Sequence, residues 1–220
     1  MKKLKLLQAI HEAGVVAVLR GNSPEEVIRM ADKAIAGGIR VIEITMTVPF
    51  ACEAISALAR SYQSTDVSRV DYAIIGAGTV LDSETARAVM LAGAEFVVSP
   101  SLDEATVRLC NRYRVPILPG AMTVKEVTAA LELGVEVVKL FPGNLYSPSI
   151  IPTLRGPLPQ ANIMPTGGVG LDNLKEWIAA GAFAVGIGSD LTKEAVASGN
   201  YDLITAKASA YVAAYREAKK

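Results

Sequence analysis

The chain has one histidine, His11, and two cysteines, Cys52 and Cys110, in 220 residues. A single histidine provides no His pair for a zinc site and weakens any Ser–His or Cys–His catalytic scheme. The cysteines are isolated, with no CxxC spacing. That argues against a disulfide framework and points to a reducing, cytoplasmic setting. An excess of charge is also missing: 22 basic residues balance 22 acidic ones. A nucleic-acid or acidic-membrane partner would leave a basic excess, so neither is expected. No apolar run approaches the ~18 residues of a membrane helix. The opening MKKLKLL is charged and then apolar, but His11, Glu12 and Gly14 interrupt it too soon for a signal peptide. Linkers and low-complexity segments are absent as well.

What remains is an apolar fraction of 51% and a charged fraction of 20%, enough to bury a sizeable core. Short β-branched runs alternate with longer Ala-, Leu- and Glu-rich stretches. The strand candidates are Val15–Leu19, Val41–Thr45, Ala73–Ile75, Phe96–Val98, Pro116–Leu118, Val137–Leu140, Ile163–Pro165 and Ala184–Ile187. They are continuous apolar runs, as in parallel strands covered by helices. Helix starts are legible at Ser23-Pro24-Glu25-Glu26, Asp82-Ser83-Glu84, Ser101 or Asp103, Thr123-x-x-Glu126 and Asp172-Asn173. Glycines stop the helices at Gly37, Gly93, Gly134 and Gly181. Strand–helix alternation gives a parallel sheet with right-handed crossovers. Eight such units predict an α/β fold, a (β/α)8 barrel spanning residues 1–220 as one domain. An extra helix precedes it (Lys3–Glu12), a last helix spans Tyr201–Lys219, and Tyr62–Asp71 reads as a polar loop. An open doubly wound sheet is the alternative, which the unbroken run of eight strands disfavours.

Reactive groups of parallel barrels lie at the C-terminal ends of the strands. Two ionisable residues at those ends sit inside apolar runs: Lys139 in Val137–Phe141 and Glu43 in Val41–Thr45. Side chains alternate along a strand, and a lysine pressed beneath a helix would be very costly, so both should point into the barrel. Apolar surroundings disfavour an ammonium, and the neutral amine is the nucleophile of imine chemistry. A carboxylate among aliphatics is suited to acid–base work. The same two residues also fit a structural ion pair, an expensive way to stabilise a barrel. Glycines follow the last two strands, in Thr166-Gly167-Gly168 and Gly188-Ser189. Their backbone N–H groups, with a helix beginning after Ser189, suit a phosphate. Gly76-Ala77-Gly78-Thr79 reads as a turn that places a hydroxyl at the mouth. Arg20 ends the first strand and suits an anion. Lys125, Lys175 and Lys193 read as surface residues, and His11 lies remote from every strand end.

These stretches (VVAVLR, GGIRVIEITMTVP, IIGAGTVLD, GAEFVVSP, PILPGAMT, VVKLFPG, IMPTGGV and AVGIGSDL) resemble the 2-keto-3-deoxy-6-phosphogluconate (KDPG) aldolase family, whose members often also cleave 4-hydroxy-2-oxoglutarate. The resemblance implies a cytoplasmic lyase of Schiff-base type, trimeric, acting in the Entner–Doudoroff route on a phosphorylated 2-keto acid without metal or cofactor. It implies Lys139 as Schiff-base lysine and Glu43 as proton shuttle. It implies Thr79 on the pyruvyl carboxylate, Pro100 and Phe141 as walls of that pocket, Gly167, Gly168, Gly188 and Ser189 around the phosphate, and Thr166 as a further substrate-binding residue. Some members carry an arginine after the second strand and use it on the substrate carboxylate. Here Thr47 holds that position, and the resemblance implies that Arg20 supplies the missing positive charge, toward either the carboxylate or the phosphate. The C4-epimeric galactonate substrate, a phosphosugar epimerase or isomerase, and a non-catalytic phosphate-binding barrel are the alternatives.

Overall fold

The computed structural model describes residues 1–63 and 72–220, so most of the expected Tyr62–Asp71 loop lies outside the described residues. Strands β1 (Val15–Leu19), β2 (Val41–Thr45), β3 (Ile74–Gly78), β4 (Val97–Val98) and β5 (Ile117–Leu118) alternate with helices α2 (Pro24–Ala36), α3 (Ala51–Tyr62), α4 (Ser83–Ala92) and α5 (Glu104–Tyr113). Then follow β6 (Gly120–Ala121), α6 (Val124–Glu132), β7 (Val138–Leu140), a 3-10 turn (Gly143–Leu145), α7 (Ile150–Arg155), β8 (Ile163–Pro165), α8 (Leu174–Ala179), β9 (Val185–Ile187) and α9 (Ser189–Ser198). Helices α1 (Lys2–Ala13) and α10 (Asp202–Ala218) flank the series. The helix starts are set by local chemistry. Ser23, Asp82 and Asp103 accept hydrogen bonds from the amides of Glu26, Thr85 and Thr106, and Thr123 with Glu126 forms a reciprocal capping box.

All strand pairs are parallel, in the order β5-β4-β3-β2-β1-β9 and β6-β7-β8. The two runs join at both ends. A bridge between Thr166 and Gly186 links β8 to β9. β5 and β6 are two halves of one strand, interrupted at Pro119, which has no N–H to give to a ladder. The sheet is therefore a closed (β/α)8 barrel with eight strand positions. The third strand departs from expectation: Gly76-Ala77-Gly78 is strand rather than turn, paired in register with Glu43-Ile44-Thr45.

The barrel has two apolar layers. Alternate residues such as Ala17, Ile42, Ile75, Val138 and Ile187 pack outward beneath the helices. The other set faces inward, and at the N-terminal end α1 closes the barrel. Leu6, Leu7 and Ile10 pack against Val16, Val41, Phe96, Leu118, Val137 and Met164. Two ion pairs fasten this plug, Lys2 to Glu95 at 2.8 Å and Lys3 to Glu136 at 2.7 Å. The Tyr72 hydroxyl donates to the second oxygen of Glu95. His11 stands at this end too, with Nδ1 2.7 Å from the Phe183 carbonyl and its ring against Phe183. It is structural and distant from the mouth. Among the described residues, α1 thus fills the N-terminal end of the barrel, and the C-terminal ends of the strands face the other way.

Ile10 is fully buried in this plug. Ile10→Ala is expected to lower unfolding free energy by about 2–5 kcal/mol in urea titrations.

Candidate active site

The second and sixth strand positions of an eight-position barrel face each other across its axis. β2 and β7 hold those positions, and they carry Glu43 and Lys139. Both side chains are almost wholly buried, and Lys139 Nζ lies 4.0 Å from Glu43 Oε1. That separation is longer than a hydrogen bond, and neither oxygen of Glu43 has a hydrogen-bond partner among the described residues. The ammonium end of Lys139 also lies 4.9 Å from the centre of the Phe141 ring. At this distance the attraction of two ions is about 4 kcal/mol at an effective dielectric of ~20. Taking each ion out of water costs several kcal/mol. The pair is therefore no net aid to stability, and both groups remain open to a third atom placed between them.

Glycine makes the room for it. A Cβ at Gly78 would lie 1.8 Å from Glu43 Oε1 and 2.6 Å from its Cγ, so the carboxylate occupies the space that a side chain on β3 would fill. A Cβ at Gly186 would lie 2.3 Å from Thr166 Oγ1. That hydroxyl is buried and has no partner among the described residues. These glycines serve the interior of the barrel, not turns.

Beside Phe141, two residues beyond Lys139, opens a cavity of about 300 Å³. Phe141, Thr166, Gly167, Gly168, Gly188 and Ser189 line it together with Arg20, whereas Lys139 and Glu43 do not. Gly167 and Gly168 hold positive φ angles of 90° and 73°, which turn the loop after β8 around the opening. Asn173 braces that loop: its Oδ1 accepts from the Gly170 amide and its Nδ2 donates to the Gly168 carbonyl. Asn173 is the N-cap residue of α8, where the sequence placed a helix start, but its side chain makes no cap hydrogen bond and serves the loop. Thr79 and Pro100 end the third and fourth strands and do not line this cavity. Thr79 has φ of 56°, an uncommon conformation for a β-branched residue and a mark of local strain. Reading the sequence missed Asp172 and Asp190, which also line the cavity. Two acids flanking glycine loops after the last two strands were the available signal.

Asp190 is held by the Tyr211 hydroxyl and, at 3.1 Å, by Lys207. Burial pushes its carboxyl upward, but the Tyr211 hydrogen bond and the Lys207 charge bring it below the ordinary value. Tyr211 moves the other way, raised by burial and then by its bond to Asp190, and stays a hydroxyl donor. Neither cysteine competes as a nucleophile. Burial pushes the Cys110 thiol up to about 12 and raises Cys52 as well. No three His, Cys, Asp or Glu side chains converge as a metal site among the described residues.

A closed barrel with one end filled, a lysine facing a carboxylate inside it, and a glycine-lined cavity at the strand ends fit a lyase of the aldolase class. Comparison with known proteins agrees. Residues 6–207 match the family model for KDPG and KHG aldolase. The chain is 34% identical to the 2-dehydro-3-deoxy-6-phosphogalactonate aldolase of Escherichia coli, covering 93% of this chain and 95% of that one. It is also 34% identical to the 2-dehydro-3-deoxy-phosphogluconate aldolase of Treponema pallidum, over 92% and 94% of the two chains. Among solved structures, a KDPG aldolase from Legionella pneumophila, with pyruvate captured as a covalent carbinolamine, superposes with a TM-score of 0.82. Its identity is 29%, over 93% of this chain and 97% of that one. The chain belongs to the KDPG and KHG aldolase family.

Gly78→Ala is expected to displace the Glu43 carboxylate. Turnover should fall sharply, and thermal or urea unfolding should show a loss of about 1–3 kcal/mol, the cost of overpacking a core.

Proposed function

We propose that this protein cleaves 2-dehydro-3-deoxy-6-phosphogluconate to pyruvate and glyceraldehyde 3-phosphate through an imine on Lys139. The 4.0 Å gap between Lys139 Nζ and Glu43 Oε1 carries this reading. It leaves both groups free to address one carbonyl carbon and its leaving oxygen. Lys139 attacks the C2 ketone, and the carbinolamine loses water as Glu43, directly or through a water molecule, moves the protons. The protonated imine draws electrons from the C3–C4 bond while the C4 hydroxyl gives up its proton to Glu43. The aldehyde departs, Glu43 returns the proton to C3 of the enamine, and hydrolysis releases pyruvate and the free amine. Each step restores the proton the previous one took, so one carboxylate suffices.

The cavity lining supports the remaining roles. Gly167, Gly168, Gly188 and Ser189 take the phosphate, with the first turn of α9 adding its dipole. Arg20 shares that cavity, whereas Thr79 and Pro100 do not. This favours Arg20 on the phosphate and leaves Thr79 and Pro100 for the pyruvyl end, with Phe141, which lines the cavity and whose ring centre lies 4.9 Å from Lys139 Nζ, between the two. The unpartnered Thr166 hydroxyl is available to a substrate oxygen. The reading carries with it a cytoplasmic homotrimer in the Entner–Doudoroff route, with no nucleic-acid or membrane partner. Exposed Phe50, Met122, Val124 and Leu145, in the segments that follow the C-terminal ends of the strands, give an assembly apolar surface to cover. Among the described residues no helix is long and apolar enough to cross a membrane.

Borohydride added with pyruvate is expected to fix a covalent adduct on the peptide bearing Lys139. An adduct elsewhere, or none, rejects the mechanism. Glu43→Gln should slow turnover by about 10²–10⁴-fold with an unchanged melting profile. Comparing kcat/KM for the gluconate substrate, its C4 epimer and 4-hydroxy-2-oxoglutarate should rank the gluconate first.

A further inference from the structure

Helix α10 follows the last βα unit and adds nothing to the ring of strands, yet it reaches the rim of the cavity. Tyr211 is fully buried beneath α9, and its hydroxyl donates to Asp190. Lys207, one turn earlier on α10, stands 3.1 Å from the same oxygen of Asp190 and is largely shielded from solvent. Lys193 approaches the other oxygen at 3.7 Å. Asp190 lies in the first turn of α9 and lines the cavity beside Ser189 and Gly188.

Three observations show what this arrangement does. First, a bare Asp190 carboxylate on the wall of a cavity built for a dianion would repel it, and the Tyr211 hydroxyl and Lys207 ammonium of α10 hold one of its oxygens while Lys193 faces the other. Second, α9 begins with no side-chain cap of its own, so the Asp190 contacts fix where its first amides point. Third, the contact lies at the seam of the two glycine loops. A Cβ at Gly170 would lie 2.5 Å from Asp172 Oδ1 and 3.9 Å from Asp190 Cγ. The carboxylate that Tyr211 holds therefore stands against the loop after β8 as well as at the start of α9.

We propose that Tyr211 and Lys207 are positioning residues for the substrate phosphate, acting through Asp190 to neutralise the cavity wall and to hold the start of α9 against the loop after β8. The proposal rests on the aldolase reading above and extends it. It gives the terminal helix a part in substrate selection: phosphorylated keto acids are favoured by a device that pyruvate itself never meets.

The test separates the two ends of the substrate. In Tyr211→Phe and in Lys207→Gln, KM for the phosphorylated keto acid should rise roughly tenfold with little change in kcat. Inorganic phosphate should inhibit both variants correspondingly less. The pyruvate concentration giving half-maximal borohydride trapping should stay at the wild-type value, and Lys207→Arg should restore KM. An unchanged KM for the phosphorylated substrate, or an equal loss in pyruvate trapping, overturns the proposal. If the wild-type protein neither cleaves the substrate nor traps pyruvate, it is the aldolase reading that fails. Should Tyr211→Phe fold poorly, Lys207→Gln, whose side chain reaches the surface, decides the matter alone.

Discussion

A lysine and a glutamate facing each other inside an apolar barrel set the terms for the rest of this molecule. Neither is hydrogen-bonded to the other, and burial of both is costly. The surrounding structure must therefore hold them, and it does so by subtraction. Gly78 removes the side chain that would fill the place of the Glu43 carboxylate, and Gly186 does the same beside Thr166. Removing either glycine's empty space would alter the site without touching a reactive atom.

The two ends of the barrel are built for opposite purposes. At the bottom, α1 fills the interior with leucine and isoleucine and is fastened by lysines to the buried Glu95 and the partly exposed Glu136. At the mouth, the interior positions become glycine, threonine and charged residues, and the chain turns through positive φ at Gly167 and Gly168. The sealed end gives the core its rigidity, so strain at Thr79 and the exposed backbone of the glycine loops are tolerated at the other. The loops are in turn braced from outside the ring, by Asn173 and by Asp190 with its partners on α10.

Several elements were legible from local chemistry. The boundaries of β1, β2 and β8 follow from runs of branched residues ended by a polar or glycine-bearing segment. The starts of α2, α4, α5 and α6 follow from caps whose hydrogen bonds are indeed made. The inward direction of Glu43 and Lys139 follows from strand alternation and the cost of burying charge under a helix. The third strand was misjudged because Gly-Ala-Gly carries the signature of a turn. Only its pairing with β2, and the bulk of Phe96 and Glu43 from the two neighbouring strands, explain glycine there. Asp190 and Tyr211 went unseen as partners because they lie 21 residues apart on helices whose packing no local pattern encodes.

By itself, then, the sequence determined the alternation of strands and helices, the closure that eight such units favour, and the two ionisable residues that must turn inward. These follow from propensity, capping and the penalty for misplaced charge, all of which act over a few residues. Only the tertiary structure decided that the two residues meet across the axis at 4.0 Å without touching. It alone set Arg20 with the glycine loops and brought the last helix to their seam. Those outcomes depend on how the ring closes and how the helices pack around it, and distances across a closed sheet are fixed by all its strands together.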